Sequence, residues 1–212
     1  MKGLLRQYHR SFRKSEVTRG YGLLERFLAL QRARCAQRLI KNSANRSAYG
    51  RVLDIGCGAY PIYLLTSKFM ERYGIDKVSW THRRISKRFT LMNHDIGSGG
   101  PLFFEDNFFD AVTMLAVFEH LEISCLDMLF SEIKRILTPG GMFVITTPAV
   151  WAEGILRIMA WTGLVSSQEI NDHKISLRSP EIREVLKKAG LRNIQSGYFE
   201  CYLNRWFVAE KP

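Results

Sequence analysis

Val52-Leu53-Asp54-Ile55-Gly56-Cys57-Gly58-Ala59 is an apolar run that ends in an acid and then a Gly-x-Gly turn. A run of this length bounded by glycine reads as a buried strand. Glycine lets the backbone come close to a ligand because it lacks a Cβ and tolerates φ > 0. A lone Gly-x-Gly also occurs in ordinary turns, so its meaning depends on the spacing of the next apolar runs. Tyr73-Gly74-Ile75-Asp76 comes one helix length later, and Leu91-Met92-Asn93-His94-Asp95 comes after that. Three strands that each end in a carboxylate point to one nucleoside-type ligand held along the edge of a parallel sheet.

Strand and helix alternate outward from this point. Strand Arg51–Ile55 leads to a helix starting near Pro61, a residue suited to a first helical turn. Strand Tyr73–Asp76 is followed by a short basic helix or loop holding Trp80, Arg83, Arg84, Lys87 and Arg88. Strand Phe89–His94 opens a loop from Gly97 to Asn107, and strand Phe109–Leu115 precedes a helix over Cys125–Leu137. Pro139-Gly140-Gly141 stops that helix ahead of strand Met142–Thr147. This rhythm predicts an α/β doubly wound sheet with helices on both faces. After Pro148 it breaks into an apolar helical stretch, Trp151–Val165, and a polar one, Ser166–Leu177. Ser179 then caps a helix with Pro180 in its first turn, running through Lys188 to Gly190. The last two strands, Arg192–Phe199 and Leu203–Ala209, are too close in sequence for a crossover and predict an antiparallel hairpin.

The 212 residues suit one domain with one sizeable core. Residues 1–49 read as a basic helical appendage, with Leu24, Phe27, Leu28, Cys35 and Leu39 broadly on one side of a Leu23–Ile40 helix. Residues 50–212 form the main domain, with a lid-like insertion over about 149–178. Residues 1–50 hold twelve Lys/Arg against Glu16 and Glu25, so +10 of the total +11 lies there. Such a segment suits the phosphates of nucleic acid, anionic lipid headgroups or a pyrophosphate-bearing substrate, or simply a solvated helix face. No run reaches bilayer length, and Met1-Lys2-Gly3-Leu4-Leu5-Arg6 turns charged before any signal-type apolar core forms. Cys35, Cys57, Cys125 and Cys201 are scattered with no Cys-x-x-Cys, which argues against structural zinc or a disulfide framework and for a reducing cytoplasmic setting.

The ordered set of motifs closely resembles the class I S-adenosylmethionine-dependent methyltransferases over about residues 50–210. The matching stretches are Val52–Gly58, Tyr73–Asp76, Asn93–Ile96, Phe109–Leu121 and Glu132–Ile145. The resemblance implies a Rossmann-like sheet closed by an antiparallel strand, with S-adenosylmethionine as the cofactor. By motif, the Gly56–Gly58 turn passes under the methionine part, and Asp54 supports that turn or binds the amino group. Asp76 accepts from the ribose hydroxyls, and Asp95 takes the adenine amino group with Ile96 beside the ring. Leu115 and Ala116 line the sulfonium region. Each aspartate also has a plain reading as a turn or cap residue. The chain departs from the family where a third glycine is usual: Tyr60 and Pro61 stand there. Pro61 also displaces the last glycine of a dinucleotide fingerprint, which argues against a nicotinamide reductase.

Methyl transfer from a sulfonium is an in-line displacement, so positioning supplies much of the catalysis. A general base is needed where a hydroxyl acceptor must lose its proton, and His120 and His173 are the candidates. Trp151, Ile155, Ile158, Met159, Trp161 and Leu164 form an amphipathic set that either closes over an apolar acceptor or packs in the core. The acceptor is therefore expected to be a small molecule, a glycan or a lipid-linked compound, with peripheral membrane contact through the basic N-terminal segment. RNA is the competing acceptor, and a non-catalytic S-adenosylmethionine-binding accessory protein is the competing class. Against nucleic acid, Leu115-Ala116-Val117-Phe118 lacks the Asp/Asn-Pro-Pro-aromatic pattern of many amino-methylating enzymes of that kind.

Overall fold

The computed structural model describes residues 22–43, 50–77, 83–98, 100–172 and 174–212. Helix α1 (Glu25–Ser43) leads to β1 (Arg51–Ile55), a short α2 (Ile62–Thr66), β2 (Glu71–Asp76), β3 (Arg83–Ser86) and β4 (Phe89–Asn93). Then come β5 (Phe109–Leu115), α3 (Ile123–Ile136), β6 (Leu137–Pro148), α4 (Glu153–Trp161), α5 (Ser167–Asn171) and α6 (Ser179–Lys188). The hairpin β7 (Arg192–Phe199) and β8 (Asn204–Glu210) closes the chain. The strands form one eight-stranded sheet in the order β3-β4-β2-β1-β5-β6-β8-β7. β4, β2, β1, β5 and β6 are parallel, while β8 runs antiparallel to β6 and β7 antiparallel to β8. This is the expected doubly wound sheet with its C-terminal hairpin.

Period-two alternation divides the core into two layers. Leu53, Ile55, Val112, Met114, Phe143 and Ile145 face α3 and α6, packing with Phe130, Ile133, Ile182 and Leu186. Val52, Ala111, Val144 and Val208 face the opposite way, onto α1 and α2. The buried apolar residues of α1 are Ala33, Ala36 and Ile40, whereas Phe27, expected on the inner side, is 54% exposed. Two alanines let the helix lie close to the sheet, and that contact outweighs the larger apolar residues of the first turn.

Local expectations are corrected at several points. The connection from Asp76 to Phe89 has no helix among its described residues: Arg83–Ser86 is an edge strand antiparallel to β4. Only Lys87 and Arg88 separate the two strands, a hairpin-length link that a basic composition conceals. Pro139-Gly140-Gly141 lies within β6 and not ahead of it. The ladder pairs Phe109 with Leu137 and resumes at Ala111–Met142, so the triplet bulges out, with Gly140 at φ +68. Helix α6 is capped at Arg178 and not at Ser179, the Arg178 N–H donating to Glu181 Oε2 at 2.5 Å. The expected Trp151–Val165 helix is shorter, a 3-10 turn over Val150–Ala152 followed by α4.

Two ion pairs of Arg135 fix the long loop before β5. Arg135 donates to both Glu132 oxygens at 2.9 and 2.8 Å, to Asp106 Oδ1 at 2.7 Å, and to the carbonyls of Phe104 and Leu102 at 2.8 and 3.0 Å. Glu132 also accepts the Leu102 N–H at 2.9 Å. The loop so held places Phe104 and Phe108 edge-on to Tyr73, and Phe103 edge-on to His94 with centroids 4.8 Å apart. Arg135→Ala strands Glu132 and two carbonyls, and is expected to lower stability by about 2 kcal/mol, read from urea unfolding. An unchanged midpoint would show that the loop holds without the clamp.

Candidate active site

The C-terminal ends of the parallel strands open onto a cavity of about 620 Å³, within the range of small-ligand sites. Asp54, Gly56, Gly58, Asp76, Asp95, Ile96, Leu115, Ala116 and His120 all line it. His173 lies outside the described residues, as do the basic residues 1–21 and Trp80.

The turn after β1 forms the cavity floor. Gly56 N–H and Cys57 N–H both donate to the Ile75 carbonyl, at 2.8 and 3.2 Å. Gly58 N–H donates to Asp76 Oδ2 at 2.8 Å. Gly56 and Gly58 sit at φ +70 and +69. A Cβ on Gly56 would come within 2.2 Å of Val117 Cγ2, so this position needs glycine for space as well as for conformation. Cys57 is buried, and desolvation with the nearby Asp54 and Asp76 pushes its thiol well above the usual range, which makes it a packing residue and not a nucleophile. Tyr60, standing where the family has its third glycine, lines the cavity.

Each carboxylate has a distinct environment. Asp54 is 3% exposed and accepts from Thr113 Oγ1 at 2.6 Å. Burial raises its carboxyl to about 7, the Thr113 hydroxyl opposing the rise and Asp76 adding to it. Asp76 is half-buried at the end of β2. Asp95 is exposed and accepts the Gly97 N–H at 2.9 Å, so it makes a local turn and faces the cavity as well. Ala116, just past β5, sits at φ +56 with its N–H donating to Thr146 O at 2.9 Å. Left-handed alanine costs roughly 1–2 kcal/mol, and here that conformation turns the chain so that Val117 lies against Gly56.

His120 is on the far side, in a 3-10 turn over Phe118–His120. Its Nδ1 lies 3.2 Å from the Asp172 carbonyl oxygen. A carbonyl only accepts, so Nδ1 carries the proton in this contact and Nε2 is the basic nitrogen of the neutral ring. The Glu119 carbonyl accepts from Lys174 N–H at 2.7 Å and Ile175 N–H at 3.1 Å, which ties the 172–175 segment to this turn.

Several cavity residues were not picked out by the sequence. His94 precedes Asp95; burial lowers its pKa, opposed by Asp95, so its ring is neutral near pH 7. Glu119 is 3% exposed, and its Oε2 is buried without a hydrogen-bond partner among the described residues. Arg32 and Asn204 arrive from α1 and β8. The sequence marks Glu119 only as the pocket-shaping neighbour of His120, and adjacency to Asp95 could have flagged His94. Arg32 and Asn204 have no local signal, since only the tertiary fold brings them in.

The family model of a methyltransferase domain matches residues 26–196 of this chain. No curated protein matches it. Among solved structures, an S-adenosylmethionine-dependent methyltransferase from Archaeoglobus fulgidus is similar at 18% identity and a TM-score of 0.61, over 87% of this chain and 94% of that one. A chain from the complex of a Haloferax volcanii methyltransferase with its Trm112 activator is similar at 16% identity and a TM-score of 0.59, over 87% and 97%. Phosphoethanolamine N-methyltransferase 2 of Haemonchus contortus, solved with phosphomonomethylethanolamine and S-adenosylhomocysteine, gives 20% identity and a TM-score of 0.59, over 86% and 53%. The chain belongs to the methyltransferase-domain family, and its fold is similar to that of S-adenosylmethionine-dependent methyltransferases.

The Asp54 shift has a consequence for stability. The folded chain keeps the Asp54 proton up to about pH 7, while the unfolded chain loses it near the ordinary value of 3.8. Folded protein therefore binds more protons between these limits, and this group's contribution falls as pH rises from about 4 to 7, by roughly 1–4 kcal/mol. Asp54→Asn is expected to remove that fall, measured as unfolding midpoints of both proteins across this range. Parallel pH profiles for the two proteins would contradict the assignment.

Proposed function

We propose that this methyltransferase holds S-adenosylmethionine on the Gly56–Gly58 turn and the strand-end carboxylates, and methylates an acceptor bound between His120 and helices α1 and α4. The observation that carries the reading is the convergence of Asp54, Asp76, Asp95 and His120 on one cavity. The residues present fit the cofactor. The Asp76 carboxylate is an acceptor suited to vicinal hydroxyls, and a cationic amino acid group beside Asp54 would favour that residue's ionised form. The glycine turn leaves backbone, and no side chain, beneath the ligand, while Ile96 and Leu115 supply apolar wall.

When bound, the cofactor supplies a methyl group on a sulfonium. The chain's part is to position and to move a proton. His120, oriented through Nδ1 by Asp172, offers Nε2 to the proton of a hydroxyl or ammonium acceptor. Tyr60 and Val117 line the cavity beside the Gly56–Gly58 turn. His173 is the second candidate base by its place in sequence.

The acceptor half of the cavity is lined by Leu28, Ala29, Leu156, Met159, Val165 and Ile170, with Arg32 and Glu25 from the α1 side and Glu119, Glu122 and Lys174 from the His120 side as charged groups. An apolar wall with one arginine favours an amphipathic small molecule, glycan or lipid-linked compound that bears an anionic or polar head. The Haemonchus contortus fold neighbour, solved with a small phosphate-bearing ligand beside S-adenosylhomocysteine, supports this class.

Calorimetry with S-adenosylmethionine, followed by transfer of labelled methyl to a panel of such acceptors, tests the reading. Asp76→Ala is expected to weaken cofactor binding by about tenfold or more. His120→Gln is expected to leave binding within about twofold and to cut turnover on hydroxyl acceptors by roughly a hundredfold. Undiminished turnover in His120→Gln removes the base assignment. Binding without transfer to any acceptor would favour an accessory role, and transfer to RNA alone would favour the nucleic-acid reading.

A further inference from the structure

Helix α4 presents two apolar faces, and among the described residues only one of them is packed. Leu156 and Met159, three residues apart, line the cavity, and Leu156 packs with Ala149 and Ala152. Trp151, Ile155 and Ile158 recur at i, i+4 and i+7, with Trp161 one turn further on, and they point away from the core. Their exposures are 55%, 41%, 64% and 88%, a contiguous apolar stripe that includes two tryptophans.

The start of α1 extends this stripe. Leu23 N–H donates to Gly163 O at 3.3 Å and Leu24 N–H donates to Leu164 O at 2.9 Å, just beyond the end of α4. Leu23 is 83% and Phe27 54% exposed. The apolar surface is therefore built from two elements pinned to each other, and those elements also roof the cavity.

Charge identifies the occupant. Residues 22–50 hold six Lys/Arg against Glu25, and Arg26, Arg34 and Arg38 of α1 are exposed. Residues 1–21, which join the described fold at Gly22 beside Val165, add six Lys/Arg against Glu16. A surface that pairs tryptophan and isoleucine with a basic flank matches an anionic lipid interface. The aromatic rings suit the headgroup boundary, and each Lys/Arg near the surface adds about 1 kcal/mol. A protein partner or a second copy would match the apolar stripe but not the net charge of +10 over residues 1–50.

We infer that the outer face of α4, with Leu23 and Phe27, is a docking surface for anionic membranes that seats the cavity roof on the lipid. This deepens the proposed function, because it makes the acceptor one delivered from the membrane surface. The docking itself does not depend on which atom is methylated.

The full chain is tested by flotation with pure phosphatidylcholine vesicles and with vesicles of equal parts phosphatidylcholine and phosphatidylglycerol. The expected result is binding to the anionic vesicles, a blue shift of tryptophan emission, and weakening as salt is raised. The triple variant Trp151→Ser/Ile158→Ser/Trp161→Ser is expected to lose about tenfold or more in partitioning while binding S-adenosylmethionine as the parent does. That retained binding confirms a folded variant and keeps this test separate from the cofactor reading. No vesicle binding by the parent, or equal binding by parent and variant, overturns the inference. So does a dimer in sedimentation velocity that the triple substitution converts to monomer, since the stripe would then be a self-interface.

Discussion

Three backbone amides hold the turn after β1 against the end of β2. Gly56 and Cys57 donate to the Ile75 carbonyl, and Gly58 donates to the Asp76 carboxylate. A parallel pair ordinarily ends its ladder where the strands end, and here the ladder continues into the loop. The cavity-lining Asp76 side chain is thereby fixed by the adjoining loop. The neighbours conform to this constraint: Val117 fills the space left by the missing Cβ of Gly56, and Ala116 takes a left-handed conformation to put it there. Gly74 in β2 shows the same economy of space, since a Cβ there would lie 2.7 Å from Cys57 Sγ and 2.9 Å from Leu64. Floor, sheet and helix α2 are one packed unit, and the site is as rigid as the core beneath it.

The opposite wall is built on different principles. Helix α1 reaches the cavity with Leu28, Ala29 and Arg32, and is tied to the region after α4 by main-chain bonds and by Glu25, whose Oε1 accepts the Ser166 N–H at 2.7 Å. Helices α4 and α5 are short and make few buried contacts, with Leu156 the buried residue of α4. Openings of this wall cost less than openings of the sheet. No described helix is long and apolar enough to cross a membrane. Trp151, in the 3-10 turn before α4, and Trp161, at its end, are both exposed.

The parallel core was legible because its strands are buried on both faces, and Val52-Leu53-Asp54-Ile55 and Phe109–Leu115 read as near-continuous apolar runs ending at functional positions. The C-terminal hairpin was legible from its short link. What escaped was set by tertiary contact. Ala33 and Ala36 carry almost no hydropathic weight, yet they form the buried face of α1. The edge strand β3 is short and basic and is stabilised by pairing with β4, not by its own pattern. The Pro139-Gly140-Gly141 triplet has the composition of a stop, but the β5–β6 ladder runs on both sides of it. In the site, the strand-end carboxylates were visible one by one. Arg32 and Asn204 join them from opposite ends of the chain, which no local pattern encodes.

The proposed cofactor site unites the turn at Gly56–Gly58 with the carboxylates of Asp76 and Asp95. In a crystal structure of the full chain with S-adenosylhomocysteine, both ribose hydroxyls are expected within hydrogen-bonding distance of the Asp76 carboxylate, adenine beside Ile96 near Asp95, and the sulfur facing the cavity half that holds His120. A ribose bound away from Asp76, or a sulfur turned toward the sheet with no path to His120, would contradict it.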